Sequence, residues 1–300
     1  MPPLVSVRVI TYNHEKYIAQ CLEGILMQRA NFPFEVIVGE DCSTDHTREI
    51  VLAYGQKYSE TIRLITSENN VGGVQNVLRV QQACRGNYHA YCDGDDYWID
   101  PLKLQKQVDF MEAHPEYSMC FHDAFVVRYD KSALPDYCCP SALPERLTIG
   151  DLIRLNLAIP TASVLARSAV LASLPEWRTN IRYSDLLVRL WCAQHGDLGY
   201  LREAMSVHRI HPGGMIISNQ SLELHFSSVI DIYRRFDTET GRRYTDLIEQ
   251  TIKGVDEEYR FELLKKRLGW FSFLLRPDQA IDRLQKYANL FTRYRKMYSR

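Results

Sequence analysis

No Cys-x-x-Cys spacing occurs among the eight cysteines of this 300-residue chain (Cys21, Cys42, Cys84, Cys92, Cys120, Cys138, Cys139 and Cys192), so zinc ribbons and thioredoxin-like redox motifs are not indicated. The N-terminus lacks a secretory apolar segment, and reduced thiols in a cytoplasmic protein are expected. No run approaches the roughly 18 apolar residues needed to span a bilayer. There is no G-x-G-x-x-G turn and no Walker lysine loop, which argues against a dinucleotide dehydrogenase and a P-loop NTPase. Internal repeats and low-complexity tracts are absent too. A formal net charge of −1 argues against a nucleic-acid binder held by phosphate neutralisation.

The near-zero net charge conceals an asymmetry. Residues 259–300 hold eleven Lys/Arg and three Asp/Glu, a balance of +8. Subtraction from totals of 36 and 37 leaves 25 and 34 in residues 1–258, a balance of −9. A hydrophobic fraction of 46% with 24% charged residues supports a sizeable folded core.

The first 120 residues alternate β-branched apolar runs with amphipathic stretches. Strands are expected at 5–10, 34–38, 62–65, 88–92 and 117–121, and helices at about 15–28, 44–58, 73–84 and 101–114. Such alternation predicts an α/β, Rossmann-like domain with a mostly parallel sheet. Residues 129–148 read as a long loop with three prolines, 161–165 as a strand, 186–194 as a helix, and the chain from about 222 as helical to its end.

Parallel sheets bind ligands at the carboxyl ends of their strands. The loops at those ends read Thr11-Tyr12-Asn13-His14, Glu40-Asp41-Cys42-Ser43-Thr44-Asp45, Glu68-Asn69-Asn70-Val71-Gly72-Gly73 and Asp93-Gly94-Asp95-Asp96. Three carboxylates within four residues repel one another unless protons or a cation neutralise them. Hard oxygen donors of this kind suit Mg2+ or Mn2+. An Asp-rich turn capping the helix after Pro101 is the plainer alternative.

In order and spacing, these four loops resemble the family 2 glycosyltransferases of GT-A fold, over about residues 4–215. The resemblance implies a catalytic domain over 1–215, with a nucleotide-sugar-binding half (1–125) and an acceptor half (126–215), followed by a helical extension at 216–300. It places Tyr12 against the nucleotide base with Thr11 and Asn13 beside it. It places Asp41 against a uracil- or thymine-type ring N–H, which favours a UDP- or dTDP-type donor. Asp93 and Asp95 match the D-x-D pair, near the ribose and the metal-bound diphosphate, and Asp96 shares either task. Gly73 and Asn76 match a donor-proximal loop, though its frequent Arg-Asn ending is missing. The metal ligands implied are Asp95, Asp93 and His211, the last from the His208-Arg209-Ile210-His211 segment, with Arg209 reaching phosphate.

An acceptor hydroxyl needs a base. Asp185, just before an apolar-periodic stretch and matching the acceptor-side Asp of inverting members, is the candidate; Glu176 is the fallback. A helix N-cap is the competing reading of Asp185. Trp98 beside the acidic loop is read as an acceptor-stacking aromatic or a packed one. The implied reaction moves a sugar from a nucleoside-diphosphate donor to a sugar or lipid-linked glycan hydroxyl, with inversion, in bacterial surface polysaccharide or glycoconjugate assembly. A sugar nucleotidyltransferase and a non-catalytic sugar-nucleotide-binding subunit are the alternatives.

Beyond residue 259, Phe261, Leu264, Leu268, Phe271 and Leu275 recur at helical spacing, and Ile281, Leu284, Ala288 and Phe291 repeat the pattern among basic residues. This predicts an interfacial helix on an anionic membrane surface, peripheral on the inner face of the cell membrane. Packing on the catalytic domain or on a second subunit is the alternative, so an oligomer is left open.

Overall fold

A computed structural model describes residues 1–129, 136–214 and 222–271 of the chain. Its contacts divide it into two units, Met1–Leu152 with Leu157–Asn219, and Ile153–Asn156 with Gln220–Arg300.

The first unit opens with the expected alternation: β1 (Val5–Thr11), α1 (Ile18–Leu26), β2 (Phe34–Glu40), α2 (Thr47–Lys57), β3 (Ile62–Ile65), α3 (Gly73–Ala83) and β4 (Tyr88–Tyr91). These four strands are parallel. Val5, Val7, Val9, Val36 and Val38 have no exposed surface and meet Ile18, Leu22 and Ile25 of α1 in one core. Branched residues fit a pleated, buried surface, and the apolar stripe of α1 recurs at the 3.6-residue period.

After β5 (Tyr97–Trp98), α4 (Lys103–Ala113), β6 (Tyr117–Arg128), β7 (Asp136–Tyr137), β8 (Arg146–Leu147) and α5 (Ile149–Leu155) come β9 (Leu165–Arg167), α6 (Ser168–Ala172), α7 (Ser184–His195) and β10 (Asp197–Ile210). The sheet runs β3-β2-β1-β4-β9-β6-β10-β5. β9 is antiparallel to both β4 and β6, β10 is parallel to β6, and β5 is antiparallel to β10. The sheet is therefore mixed: β1 to β4 are parallel to one another, and β6 and β10 form a second parallel pair.

The structure corrects several boundaries. The strand expected at 117–121 continues to Arg128, because β10 pairs with it along its whole length. Of the strand expected at 161–165, Thr161–Ser163 is instead a 3-10 turn, closed by Ser163 N–H and Oγ–H donating to the Pro160 carbonyl. The 14-residue β10 was not foreseen at all. Within the 129–148 loop, short strands form at 136–137 and 146–147; residues 130–135 are not among those described.

Lys103 has no exposed surface. Its ammonium lies 3.9 Å from the Trp98 ring centroid and donates to Gln107 Oε1 at 2.7 Å. Trp98 donates its indole N–H to the Ala162 carbonyl and is 1% exposed, so it is a packed aromatic and presents no face for acceptor stacking.

The second unit contains α8 (Leu222–Glu239) and α9 (Thr245–Phe271), with Phe226, Ile232, Tyr233 and Phe236 buried on α8. Ile153 joins this unit through its carbonyl, which accepts from Thr251 Oγ. Among the described residues no helix is long and apolar enough to cross a membrane. Residues 272–300 and the side chains of 265–271, which carry most of the expected basic stripe, lie outside the described residues.

Candidate active site

The loops after β1 and β2 are zipped together. Asn13 N–H donates to Ser43 Oγ, Thr44 N–H to Asn13 Oδ1, His14 N–H to Thr47 Oγ1, and Glu15 N–H to Asp45 Oδ2. Asn13 (φ 56°) and Cys42 (φ 60°) both adopt the left-handed region, which asparagine tolerates and cysteine occupies at a cost of about 1 kcal/mol. Tyr12 projects from this double loop 41% exposed, an open aromatic face beside the buried Thr11.

Asp41 is 2% exposed, and its two oxygens accept the N–H groups of Val71 and Gly72 at 2.9 Å each, with Arg79 at 3.4 Å. Gly72 has φ +85°, which only glycine adopts without strain. Asp41 therefore shapes the loop before α3. Asn76 is equally committed, donating to the Gly39 carbonyl and accepting from Arg79, both at 2.8 Å. Gly73, in open space at the start of α3, is the member of that segment with room around it.

The acidic loop leaves β4 and passes under Thr11, with Gly94 N–H donating to the Ile10 carbonyl. A Cβ on Gly94 would lie 2.7 Å from Thr11 Oγ1 and 2.9 Å from His14 Nδ1, so glycine is required by close approach. Asp95 meets two imidazoles. His211 Nε2 is 3.1 Å and His14 Nε2 3.9 Å from Asp95 Oδ2, and one ligand atom from each residue falls within 4.8 Å of the others. Thr11 Oγ1 lies 3.2 Å from His14 Nδ1, fixing the ring so that Nε2 faces Asp95. His211 is 5% exposed and packs against Tyr17 at 4.6 Å. Burial and the neighbouring His211 lower the pKa of His14, although Asp95 opposes the shift. Asp95 itself is held below the ordinary carboxylate range: burial acts to raise it, but the His211 hydrogen bond and the His14 charge outweigh that.

The other two carboxylates have different surroundings. Asp93 is not part of this converging group. Burial, then the charges of Asp95, Asp96 and Asp185, pushes its carboxyl well above the usual range. Asp96 is 2% exposed and ties the loop to β10, accepting from His208 Nδ1 at 3.1 Å and from Arg209 N–H at 2.8 Å. Arg209, expected to reach phosphate, donates to the Asp95 carbonyl at 2.5 Å and to Gln20, with its guanidinium 4.2 Å from the Tyr97 ring and 5.2 Å from that of Tyr17. It positions the acidic loop. Asp185 lies in the first turn of α7, whose N-cap is Tyr183, so the N-cap reading fails. Its carboxylate is half-exposed and accepts from Arg189 at 3.2 Å; Arg189 is anchored on the Ile159 carbonyl. Glu176 opens the exposed 3-10 turn Glu176–Asn180.

His14 is the member that sequence reasoning missed. Its available signal was its place as the last residue of the first ligand-end loop.

A sheet of this order, with an acidic loop at the carboxyl end of its fourth parallel strand, is the GT-A architecture of sugar-transferring enzymes. The glycosyl transferase family 2 profile matches residues 6–154. Bacillus subtilis TuaG, named for teichuronic acid biosynthesis, is 38% identical over 211 residues, covering 69% of this chain and 79% of TuaG. The chain belongs to glycosyl transferase family 2. It spans 60% of the length of the uncharacterized Mycobacterium tuberculosis relative that it matches at 36% identity over 70% of its own residues. Among solved structures, Staphylococcus aureus TarS 1–349 in complex with UDP-GlcNAc superposes with a TM-score of 0.65 at 22% identity, over 92% of this chain and 77% of that one. The Pyrobaculum calidifontis mannosyltransferase PcManGT, in complex with GDP-Man and Mn2+, gives 0.63 at 14% identity, over 99% and 83%.

Proposed function

We propose that the chain transfers a sugar, with inversion, from a nucleoside-diphosphate sugar to a hydroxyl of a growing bacterial surface glycan, using a divalent cation at Asp95. The carrying observation is the convergence of His14, Asp95 and His211 from three separate segments of the chain onto one point at the ligand end of the sheet. TarS and PcManGT, solved with nucleotide sugars, support the donor class, and the PcManGT complex supports Mn2+.

Two imidazoles and a carboxylate fit a first-row divalent ion such as Mn2+ better than Mg2+, whose preferred donors are all oxygen. Such an ion, when bound, supplies Lewis-acid stabilisation of the departing diphosphate. The protein's own part is positional. Arg209 and Asp96 hold the acidic loop against β10, and Tyr12 offers its open face to the base of a UDP- or dTDP-type donor. Thr11, Asn13 and Gly73 border the same end, and the upward-shifted Asp93 hydrogen-bonds the ribose. Asp185, kept oriented by Arg189, takes the proton from the acceptor hydroxyl as it attacks.

Asp95→Ala and His211→Ala should each abolish transfer and lower Mn2+ affinity in a calorimetric titration, with the fold intact by circular dichroism. Full activity in excess chelator would overturn the metal-assisted reading, and retention of anomeric configuration by NMR would overturn inversion. We also take the basic 259–300 segment to meet an anionic membrane surface. Binding of the intact chain to anionic but not neutral liposomes, lost on removal of 259–300, is the expected result; a dimer dissolved by the same truncation would refute it.

A further inference from the structure

A recess of mixed apolar and polar lining lies at the opposite end of the sheet. It has a volume of about 420 Å3 and is bordered by Arg85, Asn87, His89, Ser168, Arg178 and Gln82, with no carboxylate among its lining residues. His89 and Asp93 are four residues apart along one strand and its exit, about 13 Å at the usual strand rise. The recess therefore sits at the amino ends of the strands, where the donor-binding loops do not reach.

Its polar groups are incompletely matched by the protein. His89 is 5% exposed, and its Nδ1 has no hydrogen-bond partner. Burial and the nearby Arg8 push its pKa down to about 3, so the ring is neutral and carries one N–H. Arg178 donates one terminal nitrogen to the Leu174 carbonyl, while its buried Nε is unpartnered. Arg8, 4% exposed on the neighbouring strand behind the lining residues, donates to the Val77 carbonyl and lies 4.5 Å from the Tyr91 ring, with its Nε unpartnered. Glu35, whose charge acts on His89, is committed to the Arg85 side chain and backbone, to Ser6 and to Arg63. Neither Arg8 nor Arg178 has an ion-pair partner among the described residues. Arg178, half-buried at the recess with no counter-charge, favours an anion, and a tetrahedral oxyanion accepts from several donors at once.

We propose that this recess is a second ligand site, separate from the donor cleft, that binds the phosphate group of a small molecule through Arg178, with His89 and the amides of Gln82 and Asn87 around it. The proposal stands independently of the reaction at the acidic loop.

The test uses the intact chain in EDTA, so that no cation bridges phosphate to Asp95. Sodium phosphate and, separately, glycerol 3-phosphate are titrated against sodium chloride at matched ionic strength, followed by calorimetry and thermal shift. Saturable binding is expected for at least one of them, retained by Asp95→Ala and weakened about tenfold or more by Arg178→Gln, one charge-assisted hydrogen bond's worth. Ala172→Trp, an exposed change on the rim, should block the recess without touching the core and abolish binding. Tighter binding of glycerol 3-phosphate would identify a phosphate monoester as the ligand, and tighter inorganic phosphate the free anion. No saturable effect, or one lost in Asp95→Ala but intact in Arg178→Gln and Ala172→Trp, would overturn the proposal.

Discussion

Replacing Lys103 with methionine should flatten the pH dependence of stability around neutrality. The ammonium is fully buried, with the Trp98 ring and one amide oxygen as its partners. Loss of water lowers its pKa from 10.5 to about 7. That difference corresponds to about 5 kcal/mol, the cost of keeping the charge inside at acid pH. The sign follows from proton counts. Between pH 7 and pH 10.5 the folded chain has released the proton and the unfolded chain still holds it, so unfolding takes up a proton and stability rises with pH. From about pH 6.5 to about pH 8.5 this one group adds about 2 kcal/mol to the unfolding free energy.

The titratable groups around Lys103 do not compete in that window. Burial pushes Cys92 well above its ordinary value and Cys120 to about 12, and pushes His122 well below. Methionine matches the length of the lysine stem but leaves Gln107 Oε1 without its donor, which costs about 1–3 kcal/mol and sets the absolute stability. The slope is therefore the diagnostic. Urea unfolding of both proteins across this range should show the rise in wild type and about 2 kcal/mol less of it in the variant. Equal slopes would mean that Lys103 is not the group responsible, and the account of its burial would fail.

Asp185→Asn should lower turnover by about two orders of magnitude or more with little change in nucleotide affinity, because on the proposed mechanism the lost group serves the acceptor; a matching loss of donor affinity would place it elsewhere. Gly94→Ala should displace Thr11 and His14 and weaken Mn2+ binding in a calorimetric titration, whereas unchanged affinity would remove His14 from the site. Asp96→Asn should lower Mn2+ affinity and melting temperature together by loosening the acidic loop from β10; a loss of affinity at unchanged melting temperature would mark Asp96 as a direct ligand instead.

The run from β1 to β4 was legible because its signals are periodic and local. Buried strands at regular spacing, each followed by a polar loop, identify both the parallel sheet and its ligand end. Asp95 and His211, which meet in the fold, were readable by chemical type. What escaped was the direction of hydrogen bonds. Asp41, Asn76 and Asp96 look like ligand-contacting residues in sequence, yet the fold commits much of their capacity to Val71, Gly72, Gly39, His208 and Arg209. β10 escaped because its alternation breaks at Arg202-Glu203, where its pairing with β6 shifts register. His14 escaped because nothing local to it indicates that the His211 ring packs 6.1 Å away.

The contact between His211 and Asp95 joins residues 116 apart in the chain. At a synthesis rate of about 5–20 residues per second, roughly 6–23 s separate the appearance of the carboxylate from that of its imidazole. During this interval the emerging parallel half has its core strands and its acidic loop but neither the His211 ring nor the β10 latch. A ribosome-bound chain in that state would carry the loops after β1, β2 and β4 without the completed His14, Asp95 and His211 cluster. On the proposed function, competence for transfer would thus begin only when β10 and His211 are in place.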